Sequence, residues 1–128
     1  MSAAGYNVGI VGATGAVGIE IVKVLDQRKF PVQQLFLYAS ERSAGKAMKT
    51  SFGDLTIRLF QVEEVKELDF VFLAVSGSFA KKYAKEIASG KAVVIDNSSA
   101  HRLDPEVPLV VPEINGEEAL NMYKAMSP

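Results

Sequence analysis

The 128-residue chain has no cysteine, no tryptophan and a single histidine, His101. The missing thiols exclude disulfides, thiolate-bound metals and a cysteine nucleophile within these residues. One histidine with no acidic cluster beside it leaves no plausible metal site. Charge is balanced, 14 Lys+Arg against 15 Asp+Glu, so the concentrated basic footprint of a nucleic-acid binder is lacking. The densest basic group, Lys81, Lys82 and Lys85, reads as the solvated face of a helix. No apolar run approaches the roughly 18 residues that cross a bilayer. The first such run, Val8–Val11, is short and passes straight into glycines, unlike a secretory leader. The expectation is a cytoplasmic protein without membrane or nucleic-acid partners.

What is present is enough to fold. The chain is 48% hydrophobic and 23% charged, and its length suits one domain over residues 1–128. Strand and helix patterns alternate. Tyr6–Val11 reads as a buried strand, and Ile19, Ile21, Val22 and Leu25 fall at helical spacing within Ala16–Gln27. Pro31 breaks that helix. Gln34–Tyr38 is a second strand, followed by a polar stretch from Ala39 to Lys49 with Gly45 inside it. Leu55–Phe60 alternates like a half-exposed strand, and Val62–Glu67 suits one helical turn. Phe70–Val75 is apolar throughout, as a central parallel strand is. A helix opening at Ser78 or Phe79 runs to Ala88, with Gly90 as its stop, and Ala92–Ile95 is the next buried strand. A short strand at Leu109–Val111 and a helix from Asn115 to Met126 complete the reading. This order predicts an α/β fold of the Rossmann type: a doubly wound, mostly parallel sheet with helices on both faces. Right-handed crossovers would gather the strand-to-helix loops along the carboxyl edge of that sheet.

The chemistry sits in those loops. Gly12, Gly15 and Gly18 lie directly after the first strand, in Gly-Ala-Thr-Gly-Ala-Val-Gly at 12–18, and open the first helix. Glycines let backbone approach a ligand, and the helix N-terminus offers unpaired N–H groups and a positive dipole end to a diphosphate. The competing reading is a plain tight turn; the strand before and the helix after favour a dinucleotide. The second strand ends in Tyr38-Ala39-Ser40-Glu41-Arg42-Ser43 rather than in the acid that holds the ribose of NAD. Arg42 suits a 2′-phosphate, with hydroxyls from Ser40 and Ser43, which points to NADP. Glu41 leaves open an alternative in which it serves as the ribose acid. On the same edge, Ser76 and Gly77 would let backbone near the diphosphate or the nicotinamide ribose. Asn97 would bond near the nicotinamide, and Arg102 would pair with an anionic substrate. Arg102 alone is more often an ordinary surface arginine, and His101 a half-buried spacer.

Four ordered blocks resemble a known family. They are residues 12–18 as above, Ala-Ser-Glu-Arg-Ser-Ala-Gly-Lys at 39–46, Val-Ile-Asp-Asn-Ser-Ser-Ala-His-Arg at 94–102 and Val-Pro-Leu-Val-Val-Pro-Glu-Ile-Asn at 107–115. Together, in this order and spacing, they are similar to aspartate-semialdehyde dehydrogenase over nearly the whole chain. The resemblance implies an oxidoreductase that reduces aspartyl phosphate with NADPH to aspartate semialdehyde and phosphate, in lysine, threonine and methionine biosynthesis. It implies that Thr14, Gly15, Ala16 and Val17 surround the diphosphate. Ser40, Arg42 and Ser43 would hold the 2′-phosphate, and Arg102 the phosphate of the acyl phosphate substrate. His101 departs from the bulky apolar residue usual there. The family's cysteine nucleophile, in an Asn-Cys segment, and its histidine base are expected beyond Pro128. These residues are therefore expected to be the NADP-binding half of a homodimeric or homotetrameric parent, with no catalytic residue and no dehydrogenase activity alone.

Rival readings are weaker. The N-acetyl-glutamyl-phosphate reductase family shares the glycine loop but matches the Asn-Ser-Ser-Ala-x-Arg block poorly. Short-chain dehydrogenases need Tyr-x-x-x-Lys, whereas Tyr83 and Tyr123 are followed four positions on by Ile87 and Ser127. A relative that keeps the fold as a binding module would lack the cysteine in the segment just after Pro128.

Overall fold

The first strand has both faces covered, and that decides the layering. In the computed structural model, which describes residues 5–98, β1 (Tyr6–Val11) pairs in parallel with β2 (Val32–Ala39) on one side and β5 (Phe70–Leu73) on the other. Between them come α1 (Ala16–Gln27), β3 (Ala47–Thr50), β4 (Gly53–Leu59) and α2 (Val62–Val65); α3 (Gly77–Ala88) and β6 (Val93–Asp96) follow β5. The sheet order is β3-β4-β2-β1-β5-β6, parallel except for the antiparallel β3–β4 pair. The strand and helix expected at Leu109–Val111 and Asn115–Met126 lie outside the described residues.

Strand alternation splits the core into two layers. Val8, Ile10, Leu35, Leu37 and Ile57 pack with Val22 and Leu25 of α1. The opposite face carries Tyr38 and Val71. A Cβ on Gly9 would meet Leu68 Cδ1 at 2.7 Å and touch Tyr38 Cε2 at 3.4 Å, so this bare strand position makes room chiefly for the Leu68 side chain, beside the Tyr38 ring. Helix α3 buries Ala80, Ala84 and Ile87, one stripe at helical spacing, while Lys81, Lys82 and Lys85 are exposed as expected. On α1 the buried stripe is Gly18, Val22 and Leu25, one step round from the expected face. Ile19 and Val24 are consequently exposed, and Ala16, Val17, Ile21 and Val24 line an apolar groove against Phe72.

The boundaries expected from periodicity hold for β1 and α1. Elsewhere non-local bonds move them. Strand β2 begins two residues early, because Tyr6 pairs with Val32 and its N–H donates to the Pro31 carbonyl at 2.7 Å. Strand β5 stops at Leu73, and the Ala74 N–H gives the last bond of its ladder to the Val11 carbonyl at 2.8 Å, where β1 also ends. The stretch expected to be polar loop contains β3, an edge strand of alternating exposed and half-buried residues. Its turn is closed by Thr50, whose hydroxyl donates to the Gly53 carbonyl at 2.8 Å and accepts from the Phe52 N–H at 3.0 Å. Gly90 does not end α3 through a left-handed conformation, which Gly90 does not adopt. It is bare because a Cβ would fall 2.6 Å from the Lys66 carbonyl oxygen.

One partly buried polar network ties β2 to its neighbours. The Tyr38 hydroxyl donates to Glu64 Oε1 at 2.8 Å, and the same oxygen takes Arg58 Nε at 2.9 Å. Burial first, then the bond to Glu64 and its charge, push the Tyr38 hydroxyl far above the ordinary tyrosine range. Its folded pKa therefore exceeds the unfolded value of about 10, so the contribution is full below about pH 10 and is lost progressively above it. Tyr38→Phe is expected to cost about 1 kcal/mol at pH 7 and to flatten the alkaline limb above about pH 10. Denaturant midpoints measured from pH 7 to 11 check this; parallel curves for both proteins would contradict it.

Candidate functional site: the carboxyl edge of the sheet

The chain leaves β1 toward β2 and later returns to β1's other side as β5. That reversal opens a crevice at the carboxyl end of β1, where open α/β sheets bind their ligands. The loop filling its floor is tightly held. The Gly12 and Ala13 N–H groups both donate to the Tyr38 carbonyl, at 2.9 and 3.1 Å. Gly12 has φ +87°, and a Cβ built on it would fall on the Ala74 carbonyl oxygen. Gly18 is bare for a similar reason, since its Cβ would strike the Gly12 carbonyl and come within 2.9 Å of Ala13 Cα. These two glycines are demanded by the fold.

Gly15 is different. Its φ is −79°, open to any residue, and a Cβ there would meet nothing closer than the Gly12 carbonyl oxygen at 3.6 Å. The protein gives no internal reason for a missing side chain at this point, which is the N-cap of α1. The helix start also has no side-chain cap and no acid in its first turn. Thr14, Gly15, Ala16 and Val17 are all exposed there. The result is a bare, electropositive helix end, the chemistry that seats a phosphate or diphosphate.

Three neighbouring loops, after β2, β5 and β6, reach the same edge. Ser40–Ala44 forms a tight turn, with the Ser43 and Ala44 N–H groups each donating to the Ser40 carbonyl at 3.0 Å. Ser40, Glu41 and Arg42 are exposed on it and Ser43 is half-buried. Among the described residues no carboxylate pairs with Arg42, whereas Arg58 is engaged by Glu64 and stacks over Phe36 at 5.6 Å. Among the described residues Arg42 is thus a guanidinium on this edge with no carboxylate partner. Beyond β5, Ser76 caps α3: its hydroxyl oxygen accepts from the Phe79 N–H at 3.4 Å and lies 3.1 Å from the Ser78 hydroxyl. Ser76 therefore has a structural task that the sequence did not reveal, and Gly77 opens the helix. The Asn97 N–H donates to the Leu73 carbonyl at 3.0 Å, which fixes the backbone and leaves the side chain exposed. Asp96, not anticipated as a site residue, accepts the Ser98 N–H at 2.8 Å through one carboxylate oxygen, and its other oxygen is buried. Arg102 and His101 lie outside the described residues. Among the described residues no three His, Cys, Asp or Glu side chains converge as metal ligands, and no helix is long and apolar enough to cross a membrane.

A mostly parallel sheet with a glycine loop at its reversal point and an uncapped helix behind it defines a dinucleotide-binding domain of the Rossmann class. Residues 7–122 match the family described as semialdehyde dehydrogenase, NAD binding domain, and the chain belongs to that family. It is 48% identical over 121 residues to the aspartate-semialdehyde dehydrogenase of Aquifex aeolicus, covering 94% of this chain and 36% of that protein. The crystal structure of aspartate semialdehyde dehydrogenase II from Vibrio cholerae complexed with ASA superposes with a TM-score of 0.83 at 39% identity, over 94% of this chain and 39% of the other. The Candida albicans enzyme with NADP gives 0.73 at 29% identity, over 89% of this chain and 35% of the other. The chain spans about a third of the length of the curated relatives it matches.

Proposed function

We propose that this chain is the NADP-binding domain of an aspartate-semialdehyde dehydrogenase, the enzyme that converts aspartyl phosphate to aspartate semialdehyde and phosphate. The observation that carries the cofactor part is the bare α1 N-terminus: Gly15 leaves space that the protein itself does not use. There the backbone of Thr14–Val17 would hold the diphosphate, with Gly12 and Gly18 shaping the loop. Ser40, Arg42 and Ser43 would take the 2′-phosphate. A planar guanidinium matches a phosphate through two parallel bonds, and no acid other than Glu41 stands on that turn. Ser76, Gly77 and Asn97 would face the nicotinamide end. Bound NADPH supplies a hydride to the acyl carbon, and these residues hold and orient it.

Substrate chemistry belongs to the whole protein. Arg102 is proposed to bind the substrate phosphate, and the thiol nucleophile must come from outside these cysteine-free residues. The relatives' names favour the aspartate branch over N-acetyl-glutamyl phosphate reduction. A cytoplasmic, homo-oligomeric parent fits this reading.

The test is a calorimetric titration with NADP and NAD. Arg42→Ala is expected to weaken NADP about 30-fold, within the range for losing a charge-assisted phosphate contact, and to change NAD less than about twofold. Equal affinities for both cofactors in the unaltered protein, reduced together by Glu41→Gln, would shift the ribose contact to Glu41.

A further inference from the structure

The Ser40–Ala44 turn is not a free surface loop. It leaves β2 after Ala39, passes over the carboxyl end of β4, and returns to the sheet as β3 on β4's far side. Its return is marked by a break in the β3–β4 ladder. The Gly45 N–H donates to the Ile57 carbonyl at 2.8 Å, while the Ile57 N–H donates to the Lys46 carbonyl at 2.8 Å. Two residues, Gly45 and Lys46, thus oppose the single residue Ile57, and Gly45 has φ +89°. This is a β-bulge of the kind whose first residue is a left-handed glycine. Ile57 itself is pinned from the other side, paired with Leu37 of β2 and buried in the core. The Lys46 N–H adds a bond to the Ser43 carbonyl at 3.1 Å, so the turn is fastened at both its start and its return.

Nothing within 4 Å would obstruct a Cβ on Gly45. Glycine is needed there for its backbone angle and not for space. That separates it from Gly12 and Gly18, which clash with neighbouring backbone.

We propose that Gly45 is a positioning residue for cofactor choice. By taking the left-handed angle of the bulge it holds the Ser40–Ala44 turn at the height where Arg42 and Ser43 meet a 2′-phosphate. The proposal rests on the NADP reading above. A side chain at Gly45 pushes φ toward negative values, opens the bulge and slides the turn relative to Ile57. The diphosphate cradle on α1 is on another loop and keeps its shape. The consequence is a loss confined to the cofactor that carries the extra phosphate.

The experiment compares NADP and NAD affinities, by calorimetry on the full-length protein, for Gly45→Val, Gly45→Asn, Gly53→Val and Arg42→Ala. Gly45→Val is expected to weaken NADP about tenfold with NAD changed less than about twofold. Gly45→Asn, which tolerates the left-handed region, restores most of the preference. Gly53, at φ +104°, sits at the far turn of the same hairpin, so Gly53→Val strains the hairpin equally but should leave the NADP-to-NAD ratio intact. Where valine at 45 prevents folding, Gly45→Ala makes the same demand with a smaller group. An unchanged ratio in a folded Gly45 variant, with Arg42→Ala abolishing the preference, overturns the proposal and leaves the NADP reading standing. An unchanged ratio in Arg42→Ala overturns the reading itself. A ratio shifted equally by Gly53→Val shows that general hairpin strain is responsible and also overturns the role of Gly45.

Discussion

Gly15→Asp is expected to make this protein more stable and unable to bind its cofactor. Gly15 is the N-cap of α1, with an extended backbone that suits a capping side chain and no such cap in place. An aspartate there accepts a free helix N–H and places negative charge at the positive dipole end. Replacing glycine gains a few tenths of a kcal/mol from the cap, and the charge adds about 0.3–1 kcal/mol. The melting temperature should rise by about 2–5 °C. The same carboxylate occupies the space where a diphosphate would sit and repels it. Affinity for NADP and NAD alike should fall at least about 100-fold, or about 2.7 kcal/mol. Gly15→Ala separates charge from bulk: it gives up capping, lowers stability slightly, and should weaken binding by about tenfold. Thermal melts and titrations on the three proteins make the comparison. Retained binding in Gly15→Asp would mean that the diphosphate does not lie on this helix end.

Gly12→Ala should do the opposite and break the fold at its centre. The residue combines a left-handed φ of +87° with a Cβ position already taken by the Ala74 carbonyl. The angle alone costs an L-residue about 1–2 kcal/mol. The clash is with backbone, not with a flexible side chain, so β5's exit must move away from β1. Doing so strains the bond from the Ala74 N–H to the Val11 carbonyl. The total is expected to be about 3 kcal/mol or more, read as a lowered denaturant midpoint at unchanged slope. A loss below about 1 kcal/mol would show that the loop relaxes easily and that Gly12 serves the ligand and not the fold. The glycines of one motif thus divide by what forbids their side chain: neighbouring backbone at Gly12 and Gly18, and unused space at Gly15.

Much of this was legible in the residues. A run of apolar residues ending in glycine, then a helical period, specifies β1, its loop and α1, because strand and helix periods and the turn chemistry are local properties. The face that α1 buries was less legible. Ile19 and Ile21 are as apolar as Val22 and Leu25, and only packing against the sheet selects Gly18, Val22 and Leu25. Strand β3 was hidden because an edge strand needs few apolar residues, and Ala-Met-Lys-Thr carries no clear alternation of its own. The two arginines near the β2 and β4 ends show the same limit. Arg42 and Arg58 look alike in sequence, but Glu64, brought in by α2, engages Arg58 and leaves Arg42 at the edge.

The sequence by itself determined the alternation of elements, the glycine loop, the chemistry available on each loop and the family, since each is written in residues a few positions apart. The tertiary structure alone decided that β5 returns beside β1, which creates the crevice, and that Ile57 faces both Gly45 and Lys46 just before β3, which holds the Arg42 turn in place. Those outcomes depend on pairing between segments far apart in the chain. Such pairing is settled by the burial and hydrogen bonding of the whole sheet, and no local pattern encodes it.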